Sequence, residues 1–524
     1  MKNLMIGAAA LALLAGCNGG DKPSAPDQKL SELVVRDGDP AKAGDALAAM
    51  ALDGGATSVL TFGESTTDGD NATFTDIGIK NADEMTIGAM TFEGLDMAGD
   101  TAIFGKMSID DIAITAPEGE AGQVMIGNIE LINPSPELAA WMAASLNGQE
   151  VPFPAVENVS FGSWSISDIS ADIEDPDMDG SFSLSKIEIR DMADLKAARF
   201  LISGINLNGV DPAEDMAFSA SLGEMKLTNV DAKYVKAIQE NVGDEDAMMG
   251  ALMDAVYDNP MEPGYDAFSI KDLNLDIAGA KVAMASMDSF IERNAAGQPI
   301  KYVTQPYTVT VDADPEGGEG GAGLLQGLSI MGYENLVIKG ESVADYDPDQ
   351  DIMSFDAKNS YFEVEKGARF AMGGKIGGIS EYSKKAGDAM DFETLAAGGE
   401  PDPNAFNEAL GALTFYDLTI KIDDDGLVNR GLNAIATSQG QDPEQMKSQI
   451  AMGLGMAPMM AQGTGADMAL VTEVTGALSK FIANPGTLTL TLDPNEPISL
   501  VEVMTNPDPS AYTKESLGFT AKAD

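Results

Sequence analysis

Few residues of this 524-residue chain could do chemistry, and their types limit which chemistry. The chain contains no histidine and a single cysteine, Cys17. Serine–histidine–aspartate and cysteine–histidine catalysis, histidine-based zinc or copper sites and intrachain disulfides are all excluded. The run Asp175, Asp177, Asp179, Gly180 has the alternating carboxylates and the glycine that open a calcium-binding loop. Lys186 stands where an EF-hand needs its closing glutamate, so a full EF-hand is not expected. Two readings remain, calcium in another kind of loop and an acidic turn between strands. The same pair applies to Asp345, Asp347, Asp349 and Asp351 and to Asp423 through Gly426. Ser183 and Lys186 have the Ser-x-x-Lys spacing of some acylating enzymes, but they fall in a β-like run. No pair of the 84 acidic residues is singled out for sugar chemistry. A non-enzymatic protein is expected, with calcium the one cofactor its acidic loops would admit.

The balance of 31 basic against 84 acidic residues gives a net charge of −53, which would repel nucleic acid and bare anionic membrane surfaces. With 44% hydrophobic residues the chain can build large cores.

The pattern that must position any site is a repeated slip in strand alternation. In "GKMSIDDIAIT", Met107 and Ile109 alternate as in a strand, and Ile112 and Ile114 alternate again one residue out of phase. The same pattern starts at Ala72, Met90, Met107, Val124, Trp164, Phe200, Met225, Phe268 and Leu413. Four residues on stand Asp76, Gly94, Asp111, Asn128, Asp168, Gly204, Asn229, Asp272 and Asp417. All are Asp, Asn or Gly, the types that most readily take positive φ. A β-bulge at each slip would return both apolar pairs to one face and bend the strand, whereas a hairpin turn there would favour Asn-Gly or Asp-Gly. The first four slips are nearly evenly spaced, so the expected fold is mainly β with helical insertions (α+β): long bulged antiparallel strands in a curved meander and a helical C-terminal region.

Helices are expected at Ser135–Leu146, within Asp231–Tyr257, and after Asp442, which with Gln445 forms an aspartate variant of the capping box. Thirty methionines include Met452, Met456, Met459 and Met460 in the late helix, where they suit either an irregular core or an adaptable apolar surface. "DPDMDGSF…AARF" is echoed by "DPDQDIMSF…GARF", suggesting two related β halves. The expected order is a β-meander domain over 30–314, a Gly-rich linker over 315–323, a second β region over 324–424, helices over 425–484 and a C-terminal strand and tail over 485–524.

The N-terminus supplies an address. Lys2 precedes an apolar run from Leu4 to Ala15, too short to span a bilayer, that ends in Leu14-Ala15-Gly16-Cys17. This resembles the lipobox of bacterial lipoproteins. The resemblance implies a signal peptide over 1–16, acylation of Cys17 and a membrane partner reached through the lipid. Asn18, in place of an aspartate, favours the outer membrane, on its periplasmic or surface face. Residues 17–29 read as a flexible tether. The "F-x-I-x-x-I-x-L" repeats of residues 72–277, with a further stretch at 413–422, resemble those of AsmA-like envelope proteins, in which a curved sheet makes an apolar groove for lipid; those proteins typically carry an inner-membrane helix instead of a lipobox. An apolar or lipid-like ligand is the expectation, with a calcium-binding interaction protein of the cell surface as the alternative and an envelope protein as a further partner.

Overall fold

The computed structural model describes residues 29–54, 56–57, 59–80, 85–115, 121–149, 151–175, 178–211, 216–231, 261–389, 408–462, 465–505 and 512–524. They fall into two compact units. One takes the described residues from 29 to 231 and 264 to 279; the other takes 261 to 263 and 280 to 524. The division thus falls beside Ala280, ahead of the Gly-rich segment.

In the first unit an extended stretch over 30–39 leads into helix α1 (Ala43–Ala49). The strands follow in chain order: β1 (Leu60–Thr61), β2 (Glu64–Asp68), β3 (Asn71–Ile79), β4 (Met85–Glu93), β5 (Asp96–Ala98), β6 (Thr101–Ile103), β7 (Lys106–Thr115) and β8 (Ala121–Ile132). After helix α2 (Pro136–Leu146) come β9 (Phe161–Asp175), β10 (Met178–Ala193), β11 (Lys196–Asp211), β12 (Met216–Asp231) and β13 (Ala267–Ile277). β1 and β2 pair with one edge of β3; from its other edge β4, β7, β8, β9, β10, β11, β12 and β13 follow as an antiparallel meander. β5 and β6 form a separate hairpin around Gly99.

The core of this unit sits over the first strands. Rings run in contact from Phe62 through Phe74 and Phe92 to Phe104. Ala46 and Leu47 of α1 and Leu138 and Ala139 of α2 close over them. Ser135 caps α2 by accepting from the amide of Leu138, with Pro136 in the first turn, as its sequence predicts.

The second unit contains β14 (Ala280–Arg293), β15 (Pro299–Ala313), α3 (Glu319–Ile330), β16 (Leu336–Asp347), β17 (Ile352–Phe355), β18 (Tyr361–Val364), β19 (Ala368–Gly377), α4 (Ile379–Ala389) and β20 (Thr414–Asp424). Helices α5 (Leu427–Ser438), α6 (Pro443–Ala461) and α7 (Met468–Ala483) precede β21 (Thr487–Leu492), β22 (Ile498–Ser499), α8 (Leu500–Thr505) and β23 (Thr520–Ala523). Its antiparallel strands run β14, β15, β16, then β17 and β18 side by side, β19, β20, β21 and β23. The Gly-rich segment expected as a linker is helical from Glu319. Leu328 is anchored in the core, and the absence of a side chain lets Gly321 bury as α3 packs on β14 and β15. The late helices fall where the sequence places them, and Asp442 caps α6 by accepting from the amides of Glu444 and Gln445. The late methionines are not core: Met452, Met456, Met459 and Met460 of α6 are all exposed.

Candidate functional site: an apolar face on a twice-creased sheet

Seven of the nine slip residues have positive φ: Asp76, Gly94, Asp111, Asp168, Gly204, Asn229 and Asp272. Asp76, Asp111, Asp168, Gly204, Asn229 and Asp272 lie inside strands, and Gly94 follows the last residue of β4; none is in a hairpin turn. The expected β-bulge is not what bends the first unit, because the pairing on both sides of each slip keeps one register. No strand gains a residue over its neighbour. Instead each positive-φ residue faces a small residue on the adjoining strand. Gly63 and Gly88 flank Asp76, Gly88 and Gly127 flank Asp111, Gly127 and Ser185 flank Asp168, Ser185 and Gly223 flank Gly204, and Gly223 faces Asp272. The fault is therefore a continuous crease across the strands.

The small residues are required by space. A Cβ at Gly63, Gly88, Gly127 or Gly223 would stand 2.7, 2.8, 2.8 or 2.9 Å from the Cβ of the facing aspartate. Two slips differ from expectation. Asn128 has ordinary φ and pairs with Asp110 and Ser167, since the crease crosses β8 one residue earlier, at Gly127. Asp417 in β20 also has ordinary φ, but there a true bulge shifts the β19–β20 register between Lys375 and Ile376.

A second crease runs parallel to the first through Asp70, Gly94, Gly105, Asn133, Gly162, Asp191, Ala198, Asn229 and Asp266. Positive φ here belongs to Gly94, Asn133, Asp191 and Asn229, all on strands antiparallel to those that carry it in the first crease. Every strand from β7 to β13 thus meets a small or polar residue first and a further crease residue six positions later, about 20 Å along an extended strand. The sequence reading missed Asn133 and Asp191, and it missed the glycines facing each slip. Scanning six positions ahead of the slips Gly94, Asp111, Asp168 and Asn229 finds Gly88, Gly105, Gly162 and Gly223, but Asn133 and Asp191 lie six positions from Gly127 and Ser185, which the apolar slip does not mark.

The creases keep apolar side chains on one face. Between them, two unbroken rows cross the meander. Phe92, Met107, Leu131, Trp164, Ile189, Phe200, Leu227 and Phe268 pair in sequence, as do Met90, Ile109, Ile129, Ile166, Ile187, Ile202, Met225 and Ile270. At the β3–β7 end the rows are buried under α1 and α2. From Ile166 to Ile270 they are only half-buried. Among the described residues of this unit, α1 and α2 pack on β5 and β6, and Val156, between α2 and β9, packs with Met192 and Ala197 against Ile189 and Val230. A half-buried aliphatic and aromatic surface four strand spacings long, about 19 Å from β9 to β13, is on the scale of a fatty acyl chain.

The opposite face carries ion pairs. Lys106 bridges Glu93 and Glu130, and Lys271 meets Glu224 at 2.8 Å. Glu188, whose side chain is 6% exposed, accepts from Lys186 at 2.8 Å and from Arg199. Burial there opposes ionisation, but the two cations outweigh it and hold the carboxyl below the ordinary glutamate value. A depressed value means that this stabilisation is complete above the unfolded pKa and is lost as pH falls through the folded one. Glu188→Gln is expected to lower stability by about 2 kcal/mol at pH 7. It should also flatten the loss of stability below about pH 4.5, as urea midpoints at pH 7 and pH 3.5 would show.

Other candidates are placed as follows. Asp177 and Cys17 lie outside the described residues. Asp175 ends β9 opposite Met178, and Asp179 is exposed and paired within β10 against Glu174 and Val210. In the echoed run, Asp347 accepts from the amides of Asp349 and Gln350, and Asp351 from Tyr346 Oη and from the amide and hydroxyl of Ser380. Asp424 accepts from the amides of Gly426 and Val428 at the start of α5. These carboxylates are used by turns and helix starts, and no group of acidic or thiol residues arranged for a metal is found among the described residues. Lys186 is engaged by Glu188, and Ser183 accepts from Asn206. No helix among the described residues is long and apolar enough to cross a membrane.

A family model described only as an uncharacterized protein matches residues 361–524, which lie wholly in the second unit. No curated protein and no solved structure matches the chain.

Proposed function

We propose that the chain is a non-enzymatic lipoprotein, anchored in the outer membrane through Cys17, that binds an apolar or lipid-like ligand on the open apolar face of β9–β13. The observation that carries this reading is the pair of apolar rows, half-buried from Ile166 to Ile270 with α1 and α2 packed elsewhere. A sheet face built only to be core would be covered, as it is over β3–β7. The lipobox-like leader supports the membrane address, and more than one acyl chain at Cys17 would make the attachment durable.

Mass spectrometry of the full-length protein, purified in mild detergent, tests both parts at once. The expected spectrum contains an acylated N-terminal peptide beginning at Cys17 and a co-purified lipid at near-stoichiometric level. Ile202→Glu, at the centre of the second row, should reduce that lipid at least tenfold while leaving the strand signal in circular dichroism unchanged. A folded wild-type protein that carries no apolar species and takes up no fluorescent fatty acid would refute the ligand. An unmodified Cys17 would refute the anchor.

A further inference from the structure

The two creases share a backbone design, but among the described residues only the second has a segment seated on it. At the first, Asp76, Asp111, Asp168 and Asp272 are exposed and their own side chains fill the space beside the glycines. Along the second runs the segment from Ser31 to Gly38, which crosses the strands from β10 to β3.

Crease residues hold this strap at regular intervals. Gly38 donates its amide to Asp70 Oδ2 at 2.8 Å. The amide of Arg36 donates to Asn133 Oδ1 at 2.9 Å, and Asn133 Nδ2 donates in turn to the carbonyl of Val34 at 2.8 Å. The amide of Ser31 donates to Asp191 Oδ2 at 2.9 Å, and its carbonyl accepts from Arg190 Nη2 at the same distance. Between these anchors the crease is glycine. A Cβ at either Gly94 or Gly105 would stand 2.1 Å from the carbonyl oxygen of Arg36, and one at Gly162 would stand 3.4 Å from Leu33 Cδ2. All but one of the polar contacts go to the strap's backbone; the exception is Arg36 Nη2, which donates to the carbonyl of Phe104 at 2.7 Å. Asn133 recognises an amide and a carbonyl of one extended segment, as strand addition does at a sheet edge, here with a side chain in place of an edge.

We infer that the second crease is a binding track for an extended peptide backbone, and that the strap over 31–38 is its resident ligand and not merely a connection to α1. The inference does not depend on the proposed ligand or on the lipid anchor. As a consequence, a pull on the chain before residue 30 reaches four strands at once, β3, β7, β8 and β10, through Asp70, Phe104, Asn133 and Asp191.

A site-specific protease sequence placed between Pro40 and Ala41 of the full-length protein tests this. After cleavage the N-terminal piece is expected to stay with the body through size-exclusion chromatography. Excess synthetic peptide of residues 30–40 should displace it, and the labelled peptide should bind the emptied body saturably. Asn133→Leu should weaken that binding at least tenfold. Exchange of straps between copies would appear as a dimer and would also support the track. Loss of the piece on cleavage from a body that keeps its strand signal, with no saturable peptide binding, would overturn it. If the cleaved body unfolds, hydrogen exchange on the uncut Asn133→Leu protein decides. Tenfold faster exchange confined to residues 31–38 supports the track, and unchanged exchange overturns it.

Discussion

Gly127→Ala is expected to destabilise the first unit by about 2 kcal/mol, and Asp168→Gly on the neighbouring strand is expected to restore most of that loss. A methyl group on an isolated strand glycine would ordinarily help, because glycine gives up more conformational freedom on folding than alanine does. At Gly127 the added Cβ would meet the Cβ of Asp168 at 2.8 Å and the carbonyl oxygen of Ser167 at 3.5 Å. Neither of those atoms can be moved by a change of rotamer. The backbone must yield instead, and pairing continues on both sides of the crease to resist it. Removing the facing Cβ removes the main obstruction. Asp168→Gly alone should be close to neutral, since φ of 56° suits glycine at least as well as aspartate. Urea denaturation of the wild type, both single variants and the double variant yields the coupling directly. A coupling above about 1 kcal/mol is expected for residues in direct contact. Additive effects would mean that the crease tolerates a Cβ and that glycine stands there for some other reason.

This pairing explains what could be read from the sequence and what could not. The positive-φ member of each crease pair was legible at Asp76, Asp111 and Asp168, because two apolar pairs out of phase bracket it within one strand. Its small partner was less legible. Gly127 lies beside Asn128, and a reading that places the slip on the second residue of the gap selects the asparagine, although Asn128 holds an ordinary strand conformation and bonds to Asp110 and Ser108. Asn133 and Asp191 escaped because too little apolar alternation follows them: β8 ends at Ile132, and only Met192 and Ala193 remain in β10. The strap left no periodic trace, since side chains of distant residues hold its backbone. Helix starts at Ser135 and Asp442 were legible because a cap is a local bond. The open face could be seen as apolar in sequence, but its exposure depends on which elements pack over it, and that is set by tertiary structure.

Two adjacent aspartates sharpen the point, because the same substitution should act in opposite directions on them. Asp111→Gly is expected to leave stability unchanged or raise it by up to about 1 kcal/mol, while Asp110→Gly should lower it by about 2 kcal/mol. Asp111 is exposed, with φ of 55°, and its work is done by its backbone, so glycine can take its place. Asp110 lies in regular pairing between Ala89 and Asn128, and its carboxylate accepts from Asn128 Nδ2 at 2.7 Å and from Ser108 Oγ at 2.8 Å. Glycine there gives up both bonds and adds backbone freedom to the unfolded chain. Valine reverses the order. Asp111→Val places a β-branched residue at positive φ, where the clash of Cβ with the following carbonyl costs about 2 kcal/mol, and a branched side chain has least room to relieve it. Asp110→Val keeps a favourable strand conformation and loses only the hydrogen bonds. Four urea midpoints settle the matter. If both glycine variants are destabilised alike, φ at Asp111 is not what selects its residue, and the slip in "MSIDDIAIT" is no guide to where this sheet bends. If they part as expected, the backbone of the second aspartate and the side chain of the first make separable contributions to one crease.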